Sequence, residues 1–136
     1  MALFTVPPAK LPLVWATVAP LLQKAIDIDP DLNDIKLVHY ALRMGNQHLL
    51  IWEDPETSDI TGAATVSISD YSTERVAVVN LMGGKGIVRD YVFEQAKEWM
   101  REMGATKAQC MCRSALVPMY EKMGMENTHH VMRITL

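Results

Sequence analysis

The chain has 136 residues and a mass of 15.3 kDa, which is the size of one domain, so we predict a single domain over residues 1–136. Hydrophobic residues make up 49% and charged residues 21% of the chain, a composition that argues against an intrinsically disordered protein. Thirteen basic and 16 acidic side chains leave a net charge of -3, which argues against nucleic acid as a partner.

The apolar stretch near the start predicts no membrane span. Leu11–Leu22 contains Pro12 and Pro20 and is shorter than the length needed to cross ~30 Å of hydrocarbon. It also lacks a basic leader and a following small-residue cleavage pattern, so we expect no secretory signal. The expected location is the cytoplasm.

Two amphipathic helices are predicted in the first third of the chain. Leu11–Ile26 has apolar side chains at helical spacing, and Pro20 predicts a bend or a division into two shorter helices, because proline has no N–H to donate. Asp29-Pro30-Asp31 is typical of a second helix start, and Gly45 of its left-handed stop. The apolar face of this second helix is expected to comprise Leu32, Ile35, Val38, His39 and Leu42.

Three strands are predicted next, over His48–Trp52, Gly62–Ser69 and Arg75–Met82. The polar turns between them are short, which indicates an antiparallel meander. The second half is predicted to form a long helix over Ile87–Met103, a strand over Lys107–Cys112, a helix over Leu116–Met123 and a last strand over about Thr128–Leu136. Cys110 and Cys112 face the same way in an extended segment and are expected to be free thiols.

A glycine-rich loop joins the third strand to the long helix. Gly83-Gly84-Lys85-Gly86 leads directly into a helix start, where free backbone N–H groups and the helix dipole suit a phosphate or pyrophosphate. The Walker pattern is excluded because no Ser or Thr follows Lys85 and the glycine spacing is too short. The alternative is a tight turn that needs glycine only for its backbone dihedral angles.

The element order and two motifs resemble the GNAT superfamily of acyl-CoA N-acyltransferases over essentially the whole chain. In that family a loop of pattern Arg/Gln-x-x-Gly-x-Gly/Ala leads from a central strand into a long helix, and Gly83–Val88 lies in that place. Tyr120–Glu126 is similar to the family's Tyr-Glu-Lys-Leu-Gly-Phe-Glu run, which is the more specific match. The pattern also resembles a divergent branch of small GNAT-like proteins from tailed phages.

The resemblance implies an α/β fold with a twisted, mostly antiparallel sheet, helices on both faces and a splay between the Arg75–Met82 and Lys107–Cys112 strands. It implies acetyl-CoA as co-substrate, an amine as acceptor and no metal. The strand around Val78 would polarise the thioester carbonyl, and Tyr120 would protonate the departing thiolate as general acid. The pyrophosphate would be bound by backbone amides of Gly84, Lys85, Gly86, Ile87 and Val88.

Two departures from the family loop keep a second hypothesis open. Gly83 replaces a basic or amide residue, and the branched Val88 replaces a small one, so acetyl-CoA binding is expected to be weakened or lost. The alternative function is a non-catalytic GNAT-fold component of a tailed-phage virion with protein partners. Ten methionines, including Met119, Met123 and Met125, suit either core filling or such a contact surface.

The general base remains unassigned from sequence. Glu53, Asp70 and Glu74 are the carboxylates on neighbouring strands, but they lie at strand ends or turns, where solvated surface charges are common.

Overall fold

The computed structural model describes residues 3–86 and 90–136. Its centre is a five-stranded sheet whose strands lie side by side in chain order. The first four strands pair antiparallel, and the fifth pairs parallel to the fourth. The strands are β1 (Leu3–Val6), β2 (His48–Glu53), β3 (Ile60–Asp70), β4 (Arg75–Gly84) and β5 (Lys107–Cys110). The predicted mostly antiparallel sheet is therefore confirmed.

Helices cover both faces of this sheet, as predicted. The α-helices are α1 (Leu11–Ile28), α2 (Ile35–Arg43), α3 (Asp90–Glu102) and α4 (Val117–Lys122), and short 3-10 turns over Pro8–Lys10 and Ser114–Leu116 precede α1 and α4. Buried side chains of α1 and α2 pack on one face, against residues such as Leu49 and Leu81. Val92 and Met100 of α3 pack on the other face.

Helix α1 runs through Pro20 as one helix, so the predicted division does not occur. Pro20 cannot donate to the carbonyl of Ala16, and both residues are solvent-exposed, so water can satisfy that carbonyl. The segment Pro8–Ile28 is long and apolar enough to cross a membrane by length and composition alone. In this structure 22% of the segment is buried, and its buried side chains, Leu11, Val18, Leu22 and Ile26, pack in the core beside the sheet.

Helix α2 begins later than its sequence suggests. Asp34 caps its N-terminus, because its side chain accepts a 2.7 Å hydrogen bond from the backbone N–H of Lys36. Leu32 therefore lies outside the helix and is 52% exposed, which corrects its predicted place on the buried face. The predicted stop is confirmed, since Gly45 has a φ of 79° directly after the helix.

Strand β1 was not predicted, and the predicted last strand is wrong. β1 is a four-residue edge strand that pairs with β2. Residues 128–136 do have a strand-like sequence, but within the described part of the chain they pair with no strand and are exposed throughout. A strand pattern is stable only where a neighbouring strand supplies its hydrogen bonds. In the tail, Arg133 forms an ion pair with Asp29, the residue that follows α1.

Candidate active site

The site begins with a gap between β4 and β5. The two strands pair only from Val76 opposite Lys107 to Val79 opposite Cys110. Strand β4 continues to Gly84, whereas β5 ends at Cys110, so the chains diverge beyond this point. The backbone of β4 from Asn80 onward therefore has no β5 neighbour in the described residues. This is the predicted splay, and it leaves backbone groups that an extended ligand could pair with.

A cavity of about 310 Å³ opens at this gap and extends between the sheet and α3. Most of its wall is apolar, and its polar side chains are few. Its lining is Leu3, Leu50, Trp52, Ala64, Val66, Val79, Met82, Phe93, Ala96, Lys97, Met100, Ala108, Gln109, Cys110, Tyr120, Met123, Gly124 and Met125. A mainly apolar cavity with a few polar groups at one place is typical of a small-molecule site.

Tyr120 lies in this cavity beside Cys110. Helix α4 carries Tyr120 and follows β5, so the divergence of β5 from β4 places the phenol at the gap. Burial raises the pKa of Tyr120, and the neighbouring thiols of Cys110 and Cys112 raise it further. Burial also raises the pKa of the Cys110 thiol, partly offset by its interaction with the Tyr120 hydroxyl. Both groups therefore keep their protons at neutral pH.

Trp52 holds the glycine loop in place through a hydrogen bond. The indole Nε1 of Trp52 donates a 2.7 Å hydrogen bond to the carbonyl of Lys85. The ring lies against Gly62 on the adjacent strand, where any Cβ would overlap the indole. Trp52 also forms part of the cavity wall, so one side chain joins the loop to the cavity.

The amide groups of the loop are only partly available for a ligand. The Lys85 N–H donates to the carbonyl of Thr61 at 2.9 Å, and Gly84 lies opposite Gly62 in the sheet. In this conformation Lys85 offers its exposed side chain to an anion and not its amide. The N–H of Gly86 has no acceptor among the described residues. The other two predicted ligands, Ile87 and Val88, lie outside the described residues.

The missing side chain at position 83 has a structural reason. A Cβ on Gly83 would overlap the backbone carbonyl of Leu21 in α1. Gly84 has a φ of 108°, and a Cβ there would overlap the carbonyl of Thr61. A basic or amide residue at position 83 would therefore require α1 to move.

Of the remaining predicted residues, Val78 lies close to the gap, and two of the carboxylates lie away from the cavity. Val78 is paired with Ser67 on one side and Gln109 on the other, one residue before the last pair of β4 with β5. Of the carboxylates considered as bases, Asp70 forms an ion pair with Arg75 and Glu74 with Lys107. Both ion pairs lie at the ends of strands β3, β4 and β5, and neither carboxylate lines the cavity. Among the described residues, no group of three or more potential metal ligands occurs.

Sequence reasoning missed the contact of Trp52 with the glycine loop and the position of Cys110 beside Tyr120. A glycine in the middle of a strand often marks a close approach by another group, so Gly62 was the available signal for Trp52. Cys110 was predicted as a free thiol, which the structure confirms, but its place beside Tyr120 depends on where α4 returns to the sheet. That return is a tertiary contact with no local signature in the sequence.

Solved structures share this fold over nearly the whole chain, whereas no family model and no curated protein matches it. One is a probable acetyltransferase, at 19% identity and a TM-score of 0.72, with 100% of this chain and 97% of that chain covered. A second is glucosamine-6-phosphate N-acetyltransferase from Arabidopsis thaliana, at 15% identity and a TM-score of 0.65, with coverages of 98% and 96%. A third is a predicted acetyltransferase with acetyl-CoA from Clostridium acetobutylicum, at 14% identity and a TM-score of 0.64, with coverages of 99% and 96%. The likeness confirms the predicted GNAT-like fold.

Proposed function

We propose that this protein is an N-acyltransferase that takes an acyl group from a coenzyme A thioester, acetyl-CoA being the simplest donor, and transfers it to an amine. The observation that carries the proposal is the juxtaposition of three features at one gap. The glycine loop ends β4, the unpaired backbone follows Val79, and the Tyr120 hydroxyl faces the same cavity. Two of the similar structures are named for acetyl transfer to an amine or described with acetyl-CoA, which supports this donor class.

The chain's own groups have separate parts in the proposed reaction. The exposed side chain of Lys85 and the N–H of Gly86 would bind the diphosphate, with Ile87 and Val88 following in the same loop. Val78 is paired with strands on both sides, so the unpaired β4 backbone that follows Val79 would instead donate to the thioester carbonyl and stabilise the charge that develops on its oxygen.

Tyr120 would act on the leaving sulfur. The amine nitrogen bonds to the carbonyl carbon, the carbon–sulfur bond breaks, the amine loses a proton and the thiolate gains one. A phenol with a raised pKa is a weaker acid than a thiol, whose ordinary pKa is about 8.5. Tyr120 therefore stabilises the departing thiolate chiefly by donating a hydrogen bond, which refines the general-acid role inferred from sequence.

Ligand binding provides the first test. We expect coenzyme A and acetyl-CoA to raise the unfolding temperature and to bind with micromolar to millimolar affinity by calorimetry, since ligands that bind only the folded state stabilise it. The control is Gly86→Trp, which places a bulky side chain beside the N–H of position 86 and should abolish the shift. The absence of heat and of any thermal shift at millimolar ligand would contradict the proposal.

A second candidate function is a non-catalytic component of a tailed-phage virion, or of another assembly, built on the same fold. The specific observation in its favour is the exposed tail, in which Val131, Met132 and Ile134 are 60%, 89% and 81% exposed. Exposed apolar side chains in sequence suit a protein partner. A monomer that copurifies with no partner and binds acetyl-CoA would rule this candidate out.

A further inference from the structure

The two edge strands of the sheet differ in how their outer edges are covered. At β1, the N–H of Leu3 donates a 3.0 Å hydrogen bond to Oε1 of Gln95 in α3. At β5, the backbone forms hydrogen bonds with β4 alone in the described part of the chain, and Lys107, Ala108 and Gln109 are exposed. An edge strand with unpaired N–H and C=O groups can pair with another strand. The outer edge of β5 is therefore open to such a strand.

Residues 128–136, the tail, have the sequence of a half-buried strand without a neighbouring strand in the described residues. Alternate side chains of an extended segment share a face. One face would carry His130, Met132, Ile134 and Leu136, and the other His129, Val131, Arg133 and Thr135. Three of the four side chains on the first face are apolar, and these three are almost fully exposed. Exposed apolar side chains that share one face indicate a surface that another element covers.

The tail of the same chain does not pair with this edge. Arg133 donates two hydrogen bonds to the carboxylate of Asp29, just beyond α1, at 3.2 and 3.1 Å. This contact uses the polar face of the tail and leaves Met132 and Ile134 accessible. Every copy of the chain therefore carries both an open strand edge and a strand sequence that has no neighbour.

We infer that two copies of this chain associate by adding the tail of each copy to the outer edge of β5 in the other. Backbone hydrogen bonds would supply the pairing, and the apolar face of the tail would pack against exposed side chains that follow β5, such as Met111 and Leu116. A two-fold symmetric pair makes this contact twice, so the second contact forms within a pair that is already joined. The inference does not depend on the proposed acyl transfer.

Sedimentation of the full chain tests the association. We expect a dimer of about twice 15.3 kDa at tens of micromolar chain. Ile134→Asp places a charge on the apolar face and should raise the dimer Kd at least about tenfold. Thr135→Asp adds the same charge on the polar face and should keep the Kd within about twofold. A monomer throughout this range, or equal effects of the two variants, would overturn the inference.

Photo-crosslinking identifies the surface that the tail covers. A photoreactive benzoylphenylalanine in place of Met132 keeps this position apolar, and mixing isotope-labelled with unlabelled copies distinguishes links between copies from links within one. We expect links between copies to β5 or to residues 111–116. Links to β5 within one copy, or links between copies to any other surface, would overturn the inference. Neither experiment uses coenzyme A, so its failure leaves the proposed function standing.

Discussion

Tyr120 combines a buried phenol with a neighbouring thiol, and its chemistry can be tested directly. Replacing Tyr120 with Phe should lower kcat about tenfold to a hundredfold, because a hydrogen bond to a developing charge contributes ~1.5–3 kcal/mol. Since the pKa of Tyr120 is raised, the contribution of its hydroxyl should persist through pH 10, where an ordinary tyrosine loses its proton. Steady-state assays of both proteins from pH 7 to 10.5 measure this, and equal kcat values would contradict the role.

The same raised pKa predicts a dependence of stability on pH. In the unfolded chain Tyr120 ionises at its ordinary value of about 10, whereas in the folded chain it stays protonated to a higher pH. Its contribution to stability is therefore complete below pH 10 and decreases as pH rises through and above that value. Urea unfolding of the wild type and Tyr120→Phe should show a steeper loss in the wild type above pH 10. Parallel curves would contradict the assignment.

Trp52 packs against Gly62, and the contribution of this contact to stability can be measured by comparing alanine substitutions at Gly62 and at Gly45. Gly62→Ala places a methyl group inside the indole ring and should cost about 3 kcal/mol or more of unfolding free energy. Gly45→Ala also adds a methyl group, but into open space, so only its positive φ should cost about 1–2 kcal/mol. Chemical denaturation measures both, and a Gly62→Ala cost below that of Gly45→Ala would contradict the packing.

At the residue scale, the sequence indicated the glycine loop and Tyr120 but not their surroundings. The loop motif lies within one continuous segment, so it can be recognised locally. Two contacts of the loop join residues far apart in sequence. The N–H of Lys85 donates a hydrogen bond to the carbonyl of Thr61, and Gly83 packs against the backbone of Leu21. Such contacts depend on how helices and strands pack, and no local pattern encodes them.

Helix α1 carries a proline in its interior, and this lowers its stability. Pro20→Ala restores an N–H that can donate within the helix, and we expect it to raise the unfolding free energy by about 1–3 kcal/mol. Pro12 lies in the first turn of the same helix, where proline is tolerated, so Pro12→Ala should change stability by less than about 0.5 kcal/mol. Urea titrations compare the two, and a destabilised Pro20→Ala protein would show that the ring packs favourably.

At the element scale, prediction succeeded where a repeating pattern spans many residues. Strands β2, β3 and β4 were predicted to within a few residues, because each is bounded by polar turn residues. Strand β1 has only four residues, too few to show alternation, and it is defined by pairing with β2. The converse holds at Thr128–Leu136, where a good pattern has no neighbouring strand in the described residues.

For the whole molecule, the architecture was predicted from the resemblance to the GNAT superfamily, which rests on the order of the elements and two motifs. Antiparallel strands joined by short turns and one long helix before the last strand of the sheet leave few possible topologies. The parallel pairing of β5 with β4 follows because α3 crosses over the sheet between them. The cavity at the β4–β5 gap could not be predicted, since it depends on how α3 and α4 pack against the sheet.

The brief pairing of β5 with β4 has a consequence for folding. Only four residue pairs join these strands, and their partners lie about 30 positions apart in the chain. The β2–β3–β4 meander closes through short loops, whereas such a distant pairing forms slowly. We therefore expect the meander to acquire its structure first during renaturation, and the proposed thioester site to form later, when β5 docks and brings Tyr120 to the sheet.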